Sequence, residues 1–124
     1  MEFVSRRYAE VAVASPAGRI DHASAEAFRL ALEPLLAGCK AGGDMVLLDF
    51  SQVEYISSVG LRVLMMAAKQ VRAQKGSIAI AAMQPVVREI FDISRFSFVF
   101  DAHASVAEAL AKLSPAALAA YQPG

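Results

Sequence analysis

The sequence predicts one α/β domain, a mixed central β-sheet of about four to five strands with about four helices in β-α succession. Two observations carry this. Short β-patterned runs alternate with longer stretches of helical period. One of those runs, Met45-Val-Leu-Leu48, is apolar throughout and flanked by Asp44 and Asp49, as a strand buried on both faces would be. The length, 124 residues with no internal repeat, low-complexity block or linker, suits one domain.

Element by element, Tyr8 to Ala14 reads as a strand with Val11 and Val13 on one side. Met1 to Ser5 is expected to pair with it as a hairpin, with Arg6 and Arg7 near the turn. Pro16, Ala17 and Gly18 then break the pattern. Ser24 is placed to cap a first helix whose apolar stripe is Phe28, Leu32, Leu35 and Leu36, and Pro34 should bend or shorten it. Gly38 and Gly42-Gly43 mark a loop before the buried strand. The stretch from Asp49 to Lys75 is expected to finish that strand, turn, and run on as a long helix. Ser77 to Ala81 reads as another strand. Gln84-Pro85 opens a short helix carrying Val86, Val87, Ile90 and Phe91, since proline suits a first helical turn. Phe96 to Phe100 reads as a last strand, and Ala104-Ser105 starts a closing helix that Ser114-Pro115 interrupts. The main domain is assigned to residues 1–113, and 114–124 to a C-terminal extension, either a docked helical turn or a frayed tail.

Composition narrows the function classes. The chain is 56% hydrophobic, much of it alanine, but no apolar run approaches the roughly 18 residues that span a bilayer. Glu2, Glu10 and the alternation that follows argue against a signal peptide. No membrane insertion and a cytoplasmic location are therefore expected. The formal net charge is zero, which gives no support to a nucleic-acid surface. Cys39 is the single cysteine, and His22 and His103 lack metal-ligand spacing, so no metal or cofactor is expected. Gly38 and Gly43 have phosphate-loop spacing, but Asp44 and Met45 stand where Lys and Ser or Thr are needed. Ser58 lacks the flanking glycines of a nucleophile elbow. An enzyme using Ser58 with His22 or His103 is the reading from another class, and the missing constellations weigh against it.

The junction before the long helix carries the most chemistry. Ser57 and Ser58 are adjacent there, followed by Val59 and Gly60. A serine before a helix caps it, and the unpaired amides of the first turn favour an anion such as phosphate. At about 100° per residue, Leu61, Leu64, Met65, Ala68 and Val71 gather on one side of the helix, expected to be buried. Val59, Val63 and Met66 fall opposite, with Arg62 and Gln70 nearby, and are expected to be exposed. That stripe is either a docking surface or is covered by a neighbouring helix or the C-terminal tail.

Together these pieces resemble the STAS domain family, and in particular bacterial anti-sigma factor antagonists. The resemblance rests on Gly18-Arg-Ile-Asp21 with His22 and Ser24, on Asp49-Phe-Ser51, and on Tyr55-Ile-Ser-Ser58-Val-Gly-Leu-Arg-Val-Leu64. Gly76, Gln84 to Phe91 and Phe96 to Phe100 complete it, in order and spacing, to about Leu113. It implies that Ser58 is a phosphoacceptor, that Gly60-Leu61 match the family motif, and that Asp21 is the acidic residue beside the site. The implied activity is partner switching. The unphosphorylated protein binds an anti-sigma factor serine kinase and frees a sigma factor; the kinase phosphorylates Ser58, and a serine phosphatase restores it. The expected contact set around Ser58 is Asp21, Ser57, Val59, Gly60, Arg62, Val63 and Met66. One departure stands out: Ser57 occupies the family's aspartate position, which makes it a second candidate acceptor. The alternative within the family is a STAS subunit of a membrane lipid-transport or sensory complex that works without phosphorylation.

Overall fold

A hairpin opens the chain. In the computed structural model, which describes residues 1–122, β1 (Glu2–Tyr8) and β2 (Val11–Ile20) pair antiparallel around Ala9-Glu10. Ala9 takes φ 51°, the positive value a two-residue hairpin turn uses at its first central position. Arg6 and Arg7 therefore lie within β1, short of the turn, which corrects the expected hairpin.

β2 is longer than its sequence suggests because it changes partners. Residues 11–14 pair in parallel with β3 (Met45–Asp49), and residues 18–20 pair in parallel with β4 (Val53–Ile56). Pro16 falls in the gap between the two, where no amide is required on that side, so the strand runs through it. Gly18, at φ 95°, stands at the register shift by which β2 meets β4, and its amide donates to the Gln52 carbonyl at 2.9 Å. Pro16 to Gly18 thus continue the strand instead of breaking it.

β4 itself was read as part of a turn. It is four residues long with only its end positions, Val53 and Ile56, buried, so it shows no period-two alternation. Helix α1 (Ala25–Ala37) continues through Pro34, which is exposed, because Phe28, Leu32 and Leu36 hold the helix to the core on either side of it. The long helix α2 (Ser58–Ala73), β5 (Ile78–Ala81) and α3 (Pro85–Ile93) follow as expected.

The segment 96–100 is not a strand. Phe96–Phe98 form a 3₁₀ turn, and the last strand is β6 (Asp101–His103). The spacing of four between Phe96 and Phe100 sends both rings inward beside Phe91, with centroids 5.9–6.4 Å apart, whereas Phe98 points to solvent. α4 (Val106–Leu113) and α5 (Pro115–Tyr121) end the chain, broken at Ser114, whose hydroxyl accepts from the Ala117 amide at 3.1 Å. The described part of the 114–124 extension is thus a docked helix: Ala117 is buried and Tyr121 packs edge-on against Tyr8. Pro123 and Gly124 lie outside the described residues.

The sheet has six strands in the order β1-β2-β3-β5-β6, with β4 beside β2. All pairings but β1–β2 are parallel. β3 is central, as its sequence predicts: Val46 and Leu48 enter the core under α1, α2 and α3, and Leu47 enters the one under α4 and α5. The result is a mixed sheet between two helical layers, and the domain is α/β.

Candidate functional site: the junction of β4 and α2

Two parallel strands, β2 and β4, end side by side. Arg19 pairs with Tyr55 and Ile20 with Ile56, so the next residues, Asp21 and Ser57, leave the sheet together. The Ser57 amide donates to the Ile20 carbonyl at 2.8 Å and ties the two exits. Ser57 is extended (φ −90°, ψ 175°), and its hydroxyl accepts from the Gly60 amide at 3.3 Å. That is a helix cap, as expected from its residue type. Ser58 is the first helical residue of α2 and is exposed. No acidic side chain lies in the first turn of this 16-residue helix, so its positive end meets no charge from α2 itself.

Gly60 is present for packing. A β-carbon there would lie 2.7 Å from Ile56 Cγ1, 2.8 Å from Ile20 Cγ2 and 2.9 Å from the Ile20 carbonyl oxygen. Only glycine lets α2 start so close to the ends of β2 and β4. Gly60, expected among the contact residues, is buried.

Asp21 sits across the junction in a dense local network. Desolvation pushes its carboxyl upward. Hydrogen bonds from the Ala23 amide, Arg19 and Ser24 outweigh that and hold it below the ordinary carboxylate range. Arg19 Nε lies 3.5 Å from Asp21 Oδ2, and its guanidinium rests 4.4 Å from the centre of the Tyr55 ring. Arg19 and Tyr55 therefore belong to the site's surroundings although nothing in their spacing singled them out; only their register across β2 and β4 brings them together.

The face assignment of α2 needs a correction. Leu64 and Ala68 are buried and Met66 is 51% exposed, as predicted, but Val63 is only 7% exposed, and Leu61 and Val59 are half-buried. The buried set is Gly60, Val63, Leu64, Ala67, Ala68 and Val71, a regular three-and-four spacing that begins one residue earlier than the apolar stripe read from the sequence. Val63 turns toward α1, where Leu32, Leu36, Met66 and Ala67 line a groove of about 230 Å³ with it. The outward stripe is reduced to Met66 and part of Val59, with Arg62 exposed beside them.

The site holds a hydroxyl, a helix amino end and a neighbouring carboxylate, an arrangement suited to accepting a phosphoryl group. Among the described residues no cluster of His, Cys, Asp and Glu could hold a metal ion, and no helix is long and apolar enough to cross a membrane.

Comparison with known proteins agrees with this architecture. The STAS domain family matches residues 2–109. BtrV of Bordetella bronchiseptica, described as an anti-sigma factor antagonist, is 43% identical over 77 residues, 62% of this chain and just under two thirds (66%) of BtrV. An anti-sigma factor antagonist from Mycobacterium paratuberculosis superposes with TM-score 0.80 at 22% identity, covering 90% of this chain and 92% of that one. The Bacillus cell fate determinant SpoIIAA in its phosphorylated form superposes with TM-score 0.68 at 18% identity, covering 91% of this chain and 100% of that one. With the family model matched over residues 2–109, this protein belongs to the STAS domain family.

Proposed function

We propose that this chain is an anti-sigma factor antagonist, a non-enzymatic binding module switched by phosphorylation of Ser58. The observation that carries the reading is the exposed Ser58 at the first position of α2, beside Asp21, with no acid in the helix's first turn. The name of BtrV, 43% identical over 77 residues, supports it. In the unphosphorylated state the chain binds an anti-sigma factor serine kinase through Ser58, Val59, Arg62 and Met66, with Asp21 alongside, and the sigma factor is released. The kinase then modifies Ser58 and a serine phosphatase reverses the change. Such a role belongs in the cytoplasm, and the working unit is residues 1–113 with 114–124 appended.

The switch follows from electrostatics. A phosphate brings about −1.5 to −2 charge at neutral pH. At the amino end of α2 that charge is tolerated or favoured by up to roughly 1 kcal/mol, so the fold has no reason to open. A partner that covers Met66 and Val59 must instead desolvate the phosphate, at a cost of several kcal/mol if it stays unpaired. Each 1.4 kcal/mol is about tenfold in affinity, so phosphorylation should weaken kinase binding at least about a hundredfold with thermal stability almost unchanged. Incubation with the cognate kinase and ATP, mass spectrometry and binding titration test this. Ser58→Ala should bind and resist modification, Ser58→Asp should lose part of the affinity, and Ser57→Ala should still be modified. Phosphate on Ser57 alone, or full affinity after complete modification of Ser58, overturns it.

A further inference from the structure

The strands at the two ends of the main sheet order, β1 and β6, present edges of very different character. β6 is three residues long and offers little to pair with. β1 is seven residues long, pairs only with β2, and is exposed at every position except Phe3 and Tyr8. The register of the hairpin fixes which backbone groups on that edge are free. Tyr8 and Val11 close a two-residue turn and so exchange both backbone hydrogen bonds; alternation then assigns Arg6, Val4 and Glu2 to bonds with β2 as well. The amides and carbonyls of Phe3, Ser5 and Arg7 point outward from the sheet.

We propose that a second copy of this chain pairs antiparallel along β1, about a two-fold axis at Val4, to continue the sheet across two molecules. In that register Phe3 of one copy faces Ser5 of the other, which joins outward-pointing groups to outward-pointing groups. Val4, 52% exposed in the single chain, meets its own equivalent, and Glu2 of each copy faces Arg6 of the other. Both charged side chains are exposed, and neither takes part in an ion pair among the described residues, whereas Arg7 is committed to Asp44. Charged residues ordinarily protect an edge strand from association. Here they select one register. Centring on Ser5 sets Arg6 against Val4, and centring on Arg6 sets that residue against itself; only the axis at Val4 matches unlike charges. The interface is self-complementary, as a two-fold contact requires, and it uses none of the residues around Ser58, so it stands independently of the switch.

Sedimentation velocity across a concentration series on the full chain tests the proposal. A reversible dimer is expected. Glu2→Lys or Arg6→Glu alone places like charges opposite each other twice per dimer, and each should weaken association by about tenfold or more. The double substitution Glu2→Lys with Arg6→Glu restores unlike pairs and should restore the dimer. Ser5→Pro removes an outward donor and should abolish it; circular dichroism checks that each variant keeps its fold. A chain that stays monomeric at millimolar concentration overturns the proposal. So does a dimer indifferent to these charges, or a double variant as weak as the single ones.

Discussion

Helices α1 and α2 begin next to each other, one after each of two paired strands, and their amino ends are finished in opposite ways. At α1 the Asp21 carbonyl accepts from the Ser24 and Ala25 amides at 3.1 and 2.7 Å, and Asp21 Oδ1 accepts from the Ala23 amide at 3.0 Å. Ser24 makes no side-chain cap; its hydroxyl accepts from the Asp21 amide at 3.0 Å and donates to the Arg19 carbonyl at 2.6 Å. Glu26 places a carboxylate in the first turn itself. α2 has one hydroxyl cap, no carboxylate, and an exposed serine on top. The first helix end is closed by permanent charge. The second carries no such charge in its first turn, which leaves it open to the phosphate proposed at Ser58.

Breaking the geometry of the second end should have the largest effect. Gly60→Ala forces a methyl group against Ile56, Ile20 and a backbone carbonyl oxygen that cannot rotate away. Overpacking of this kind costs about 1–3 kcal/mol, and the backbone contact argues for the upper half of that range. Urea denaturation should show the loss, and displacement of α2 should weaken kinase binding further. A variant as stable as the parent would mean that α2 is not held to the strand ends as described.

The same residue shows where sequence and structure part. The alternation of strands and helices, the buried β3, and the serine cap of α2 were all legible, because each is encoded by local residue types and period. What failed was whatever depends on approach between elements. Gly60 has no side chain to mark a buried face and Ala67 lies beside the stripe read from the sequence, yet both let α2 sit against its neighbours, and the buried face turned toward α1 and took Val63 with it. β4 is four residues with no alternation and exists because β2, having passed Pro16, has a free side to pair with. Phe96, Phe98 and Phe100 look like one face of a strand, but the 3₁₀ turn keeps only Phe96 and Phe100 beside Phe91 and turns Phe98 to solvent. At the site, Ser57, Ser58 and Asp21 were found from motif and residue type. Arg19 and Tyr55 were not, since their contact is made across strands.

Ser57 gives a smaller and more specific perturbation. Ser57→Ala removes the only side-chain cap of α2 and should cost about 1 kcal/mol. Ser57→Asp keeps a capping oxygen and adds the negative charge that α1 already has, which should raise stability by roughly 0.3–1 kcal/mol at low salt. That substitution makes the two helix ends alike. If vacancy of charge at α2 matters, Ser57→Asp should also reduce the gain from a phosphate on Ser58, measured as the stability difference between modified and unmodified protein. Equal phosphate effects in parent and Ser57→Asp would remove charge from the explanation.

The smallest effect expected is on the already closed end, and it should appear only in acid. The Asp21 carboxyl is held below its ordinary value: the hydrogen bonds from the Ala23 amide, Arg19 and Ser24 win against a desolvation that acts the other way. A carboxylate whose pKa is depressed in the folded state binds fewer protons there than in the unfolded chain. Its contribution is therefore complete above the unfolded value, about 3.9 for an aspartate, and is lost as pH falls through the lower folded value. Asp21→Asn retains an oxygen for the Ala23 amide but gives up the charge. At neutral pH the variant should be slightly less stable than the parent, because the ion pair with Arg19 is exposed and screened. As the pH is taken below about 4, the parent should lose that advantage and the two urea midpoints should converge. A difference that stayed constant through the acid range would show that Asp21 acts at this helix end by hydrogen bonding alone. The contrast with α2 would then be one of geometry and not of charge.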